Sequence, residues 1–184
     1  SPRRRNLLTE LGVNFEVSVG SNGDESYPSS LTYKEIPEFL AKKKAEPLLR
    51  NLEGNDILIT ADTIVWCNDS VVGKPTGRND AIRILQLLSG RKHVVVTGVA
   101  ISNHVTTKSF ASETDVFFRK LSDEEVEYYV DTFKPYDKAG AYGIQEWIGY
   151  IGIESINGSY FNVMGLPVQK LYCELIDFLN EIEK

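Results

Sequence analysis

Apolar and polar positions along this chain follow two periods, and the switches between them outline its elements. Leu7, Leu8 and Leu11 fall on one stripe at helical spacing, with Ser1 as N-cap, Pro2 at the first helical position and Gly12 as a stop. "VNFEVSV" alternates with period two and predicts a strand, and "GSNGDESYPSS" predicts a polar loop. A helix is predicted over about 33–51, shortened or kinked by Pro37 and Pro47. "DILITADTIVWC", "NDS" and "VVG" read as a strand, a turn and a short return strand. "RNDAIRILQLLSG" is a helix with Ile82, Leu85 and Leu88 on one face and Gly90 as its stop. "KHVVVTGVAIS" and "TKSFASETDVFFRK" form a long hairpin around Asn103 and His104. "SDEEVEYYVDTF" is an acidic helix capped by Ser122, and "YDKAGAYGIQ" is mostly loop. "YIGIESINGSYFNV" predicts strand, turn and strand. Pro167 then opens a closing helix with Val168, Leu171, Leu175, Ile176, Leu179 and Ile182 at helical spacing.

Interleaved helices and strands place the chain in the α/β class, with a mixed, twisted sheet; the long hairpins argue against an all-parallel one. A length of 184 residues predicts a single domain over 1–184, large enough for a real core. The chain starts without Met and on a motif, so a strand feeding the first helix is expected upstream. A net charge of −6 disfavours nucleic acid and anionic membranes as partners, and no apolar run approaches the length of a membrane span. The two cysteines, Cys67 and Cys173, have no CxxC spacing and read as reduced, buried thiols of a cytoplasmic protein.

Against that acidic background the basic clusters stand out. Arg3, Arg4 and Arg5 lie in the first turn of a helix, where the dipole already disfavours positive charge. A bound phosphate would relieve that repulsion, because backbone N–H groups and guanidinium forks both favour it. Asp62 interrupts the apolar run 57–65, and a buried carboxylate needs a cation or hydrogen-bond donors. A strand-end turn acid is the plainer account of it. Lys74 follows the return strand at a loop, the usual place for ligand contacts in α/β sheets. Of Lys42, Lys43 and Lys44, at most one is expected to point inward. Asp24 and Glu25 would complete a metal site or stay solvated. Two glycines near Asp137, Lys138 and Gln145 permit close backbone approach to a ligand. His93 and His104 have no ligand spacing, and nucleophile-elbow, Walker and HExxH motifs are absent.

In this order, "SPRR", "DE", "AKKKA", "ADTIV", "GKP", "TGVAI", "DKAGAYGIQ" and "INGSYFNVMGLP" resemble the Maf (septum-formation) family of nucleotide pyrophosphatases, from Ser1 to Pro167. The resemblance implies an elongated sheet flanked by helices, with two lobes around a nucleotide cleft. It implies hydrolysis of a nucleoside triphosphate to monophosphate and pyrophosphate with a divalent cation, Mg²⁺ or Mn²⁺, in a cytoplasmic homodimer. By position it assigns Ser1, Arg3, Arg4, Lys44 and Lys74 to substrate binding, and Thr63 and Gln145 to base selection. Glu25 and Asp62 serve the metal and the attacking water, with Asp62 as general base. "DKAGAYGIQ" resembles the branch acting on dTTP and UTP. One departure is Glu146, where the family usually has Gly. The other is at the start: the family has a strand and turn before "SPRR" that supply one residue of its site, and they are expected upstream of Ser1. Rival expectations are a hydrolase of purine or non-standard triphosphates and a non-catalytic nucleotide-binding regulator of division.

Overall fold

The computed structural model of the protein describes residues 1–18 and 24–182. Its elements are helices α1 (Pro2–Glu10) and α2 (Glu35–Leu49), strands β1 (Leu58–Cys67) and β2 (Ser70–Val72), α3 (Arg78–Leu88), β3 (Lys92–Ser102), β4 (Thr107–Phe118), α4 (Asp123–Phe133), α5 (Trp147–Gly152), β5 (Ile153–Asn157), α6 (Tyr160–Met164) and α7 (Val168–Ile182). The five strands form one sheet in the order β2-β1-β3-β4-β5. The expected α/β class holds, with the strands antiparallel rather than mixed in direction. Asn68 and Asp69 both take positive φ between β1 and β2, the geometry of a two-residue hairpin turn.

The chain divides into two compact units: Ser1–Thr63, Thr97–Ser112 and Gly165–Lys184 form the first, and Ile64–Val96 with Glu113–Met164 the second. In the first unit Ile36, Leu40, Ala41 and Ala45 make the buried face of α2. Gly98 lets that helix lie on β3: a Cβ there would come 2.2 Å from Glu38 N. In the second, Ala81, Ile84, Leu85 and Leu88 of α3 join Val126, Tyr129 and Val130 of α4 in one apolar cluster with Val95, Val116 and Phe118. Helix α4 opens with a complete capping box, Ser122 and Glu125 each satisfying the other's backbone N–H. No described helix is long and apolar enough to cross a membrane.

Four expectations change. Residues 13–18 are irregular rather than a strand, and Phe15 and Val17 are exposed; alternation alone makes no ladder. Val19 and residues 20–23 of the following loop lie outside the described residues. The pattern "YIGIESINGSYFNV" holds β5 between two short helices. Asn162 N donates to Ser159 Oγ at 3.3 Å, a cap that starts α6 where a return strand was expected. Cys173 is exposed on α7, whereas Cys67 is buried. Ser1 is the N-cap residue of α1 but makes no side-chain capping bond.

Candidate functional site

Three consecutive lysines of α2 turn by about 100° each and go to three destinations. Lys42 pairs with Glu38 one turn back, at 3.7 Å. Lys43 reaches Asp24 at 3.2 Å and the Ser26 carbonyl at 2.9 Å. Lys44 alone turns to the sheet, where its Nζ contacts Asp62 Oδ1 and lies 3.3 Å from Glu25 Oε1. Asp62 is only 9% exposed, so the ammonium compensates a carboxylate that water barely reaches. Asp24 is committed elsewhere: bonds from the Ser26 hydroxyl and N–H, then Lys43, hold its pKa down to about 2.

The Arg4 guanidinium completes this cluster from α1. Its Nε donates to Gly165 O at 2.7 Å and its Nη2 to Thr63 Oγ1 at 2.9 Å. Thr63 Oγ1 in turn meets Thr97 Oγ1 at 2.9 Å across β1 and β3. Burial lowers the Arg4 pKa, Asp62 opposes that shift and Arg3 adds to it. Arg3 is half-buried and Arg5 exposed, so the three arginines differ in setting. Ser1, Arg3, Arg4, Glu25, Lys44, Asp62 and Thr63 all belong to the first unit, and Arg4, Lys44, Asp62, Thr63 and Glu25 converge there.

Lys74 and Gln145 belong to the second unit. Gly140 N donates to Gly73 O at 3.1 Å, which ties the 138–145 loop to the residue before Lys74. Gly140 has φ of 71°, and a Cβ there would lie 2.9 Å from Val65 Cγ2, so only glycine fits without a shift. Ala141 also has positive φ, at 57°. That conformation costs a residue with a side chain about 1 kcal/mol or more and persists only where neighbours impose it. One neighbour is His93, whose Nε2 lies 2.8 Å from the Tyr142 hydroxyl in an apolar setting. Burial pushes the His93 pKa down to about 4 and raises that of Tyr142. Gln145 ends the loop with its Oε1 buried and unmatched by any donor among the described residues.

Several contributors escaped sequence reasoning. Thr97, fully buried, and Gly165 orient Arg4; a threonine within "VVVTGVAI" is the same kind of polar interruption that drew attention to Asp62. Lys138 is nearly buried and Tyr129 is fully buried on α4, and both bond the loop residue Glu146. Of these three, Tyr129 carried no signal, Lys138 stood beside the loop glycines, and Glu146 was a departure from the family pattern.

The first unit thus sets a carboxylate and ammonium pair beside the half-buried Arg4, groups of the kind that bind phosphate oxygens and orient water. The family model for Maf-like proteins matches residues 1–178, and the chain belongs to that family. Curated relatives agree over nearly their whole length. The chain is 57% identical to the dTTP/UTP pyrophosphatase of Parabacteroides distasonis over 97% of its own length and 92% of that protein's. It is 49% identical to the dTTP/UTP pyrophosphatase of Porphyromonas gingivalis, covering 97% of this chain and 90% of that one. Identity to the dTTP/UTP pyrophosphatase of Flavobacterium psychrophilum is 45%, over 96% and 90%.

Proposed function

We propose that this chain is a nucleoside triphosphate pyrophosphatase that hydrolyses dTTP and UTP to the monophosphate and pyrophosphate. The observation that carries the reading is the nearly buried Asp62 carboxylate, held by Lys44 beside Arg4. A carboxylate so placed orients a water molecule and takes its proton. Arg3 and Arg4 donate to phosphate oxygens at the start of α1, where backbone N–H groups favour the same anion. Lys44 adds a point charge for the polyphosphate, and Lys74, in the second unit, is likewise assigned to phosphate. No covalent intermediate is required.

Pyrophosphatases of this type generally depend on a metal ion. The donor set suits Mg²⁺ or Mn²⁺. Glu25 and Asp62 bring carboxylate oxygens to the Lys44 ammonium, and this shared charge partner supports the reading of the two as cation ligands. Mg²⁺ commonly takes one or two carboxylates and completes its shell with phosphate and water. Among the described residues no group of three or more acidic, His or Cys ligands is present. When bound, the cation supplies charge neutralisation on the phosphates and a more acidic water.

Gln145 reads the base in this scheme. Its buried Oε1 is an acceptor without a donor among the described residues. Uracil and thymine offer N3–H as a donor beside carbonyl acceptors; cytosine offers the inverse. The test is a screen of all nucleoside triphosphates with Mg²⁺ or Mn²⁺ and with chelator, products resolved. Metal-dependent pyrophosphate release that is fastest from dTTP and UTP is expected. Release of inorganic phosphate, a purine preference, or no turnover overturns the reading.

A further inference from the structure

A glutamine amide can turn over, and a Gln145 that did so would serve cytosine as well as uracil. Selectivity therefore requires that something hold the segment from which the side chain leaves. Gln145 sits between two tight constraints: Glu146 N donates to Gly143 O at 2.9 Å, and Gly149 N donates to Glu146 O at 2.8 Å. The side chain of Glu146 adds a third. Its Oε2 accepts from the Tyr129 hydroxyl, and its Oε1 lies 3.2 Å from Lys138 Nζ. The Tyr129 oxygen also accepts the Gly143 N–H at 3.1 Å. One carboxylate and one phenol thus join α4 to the beginning, middle and end of the loop.

The groups are matched to this task. The Lys138 side chain is 9% exposed and that of Glu146 20%, so their attraction is weakly screened. Burial and then the Glu146 carboxylate raise the Tyr129 pKa, keeping the hydroxyl proton available as a donor. Gly143 leaves the room: a Cβ there would come 2.8 Å from Glu146 Cδ. A residue without a side chain at 146 would leave Lys138 with Asp137, whose side chain is 65% exposed, as its other carboxylate partner.

We infer that Glu146 is a positioning residue: through Tyr129 and Lys138 it clasps the 138–145 loop, fixes the aim of the Gln145 amide, and so sets discrimination between uracil or thymine and cytosine. This rests on the reading of Gln145 as the base contact.

The experiment compares kcat/KM for UTP and CTP, with Mg²⁺, in wild type, Tyr129→Phe, Glu146→Gly, Glu146→Gln and Gln145→Ala, each with a thermal melt. Tyr129→Phe removes only a hydroxyl and leaves the ring stacked on Phe133. Tyr129→Phe and Glu146→Gly should each lower the UTP-to-CTP ratio roughly three- to tenfold, the effect of one or two lost hydrogen bonds. The loss should fall on KM for UTP, with kcat held within about twofold. Glu146→Gln, which keeps an acceptor for Tyr129, should retain most of the ratio. If Glu146→Gly does not fold, Tyr129→Phe decides. Equal losses on UTP and CTP, or a ratio that falls in Gln145→Ala alone, overturn the clasp and leave the base contact standing. A ratio unmoved in Gln145→Ala overturns both.

Discussion

Lys44 of α2 reaches the Asp62 carboxylate in the middle of β1, and the same ammonium lies 3.3 Å from Glu25. The pair satisfies a nearly buried carboxylate in the absence of substrate. On the proposed reading, a divalent cation would compete with the lysine for these carboxylate oxygens, and a polyphosphate would compete with the carboxylates for the lysine. Lys44→Met should leave Asp62 without its ion-pair partner and destabilise the protein by about 1–3 kcal/mol, discounted for the partial exposure of Lys44. That corresponds to a few degrees in Tm. Adding Mg²⁺ or Mn²⁺ should raise the Tm of Lys44→Met more than that of wild type, because the cation replaces the lost charge. Equal shifts in the two proteins would remove Glu25 and Asp62 from the metal site.

Asp62→Asn separates charge from shape. The amide oxygen can still accept from Lys44, so the melting temperature should stay within a few degrees of wild type. Turnover should fall by about 10²–10⁴, the usual contribution of a general base. The check is kcat at saturating UTP alongside a thermal melt. Retention of more than about a tenth of wild-type kcat would mean that another group activates the water.

What was legible in the sequence follows from which interactions are local. The helices α3 and α4 and the β3–β4 hairpin read correctly because periodicity, caps and turn residues act within a few positions. Lys44 was foreseeable in part, since adjacent helical positions diverge and only one lysine can face the sheet. Which one was not legible from helix geometry, because Asp62 is 18 residues away in the chain; the family resemblance alone singled out Lys44. The failures lie where pattern and partner disagree. Residues 13–18 alternate like a strand, yet a strand is defined by its neighbour. "SYFNV" reads as β-branched and aromatic, yet Ser159 caps a helix and Asn162 Nδ2 donates to Val95 O at 3.0 Å. Helix geometry does not separate the three arginines; the resemblance set Arg5 apart, and tertiary contacts distinguish Arg4.

His93 should give the second unit a pH-dependent stability. Its pKa falls from 6.5 to about 4 through burial, so the native state holds it neutral. The unfolded chain binds a proton that the folded protein refuses between those values. Stability is therefore fully present above about pH 6.5 and is lost as pH falls toward 4, with a slope near 1.4 kcal/mol per pH unit for one proton. Carboxylates such as Asp131, held low first by Arg78, add a loss in the same direction at lower pH. His93→Gln keeps a polar partner for the Tyr142 hydroxyl and cannot take up that proton. Urea unfolding between pH 7 and 4.5 should show a flatter slope in this variant, by about one proton. Identical slopes would mean that His93 titrates normally in the folded state.

Arg3 and Arg4 are adjacent, and their substitutions should separate. Arg4 makes two directed bonds from one planar fork, to Gly165 O at 2.7 Å and to Thr63 Oγ1 at 2.9 Å. Lysine carries the charge but cannot reproduce that fork. Arg4→Lys should leave one of those oxygens without its donor and cost about 1–3 kcal/mol before any ligand is added. Arg3 occupies the same helix start, where α1 has no acidic residue in its first turn, and its charge opposes that of Arg4. Its removal relieves repulsion with the dipole, worth about 0.3–1 kcal/mol. Ligand-free Arg3→Ala loses that repulsion together with the contact Arg3 makes, so it should melt within a few degrees of the wild-type temperature. The same variant should lose phosphate contacts, raising KM for UTP roughly ten- to a hundredfold, the effect of one charge-assisted hydrogen bond. Pyrophosphate supplies a readout that needs no turnover. It should raise the Tm of wild type and leave that of Arg3→Ala almost unchanged. A clear drop in the ligand-free Tm of Arg3→Ala would instead make Arg3 part of a structural ion pair. An undiminished response to pyrophosphate would take it out of the phosphate site.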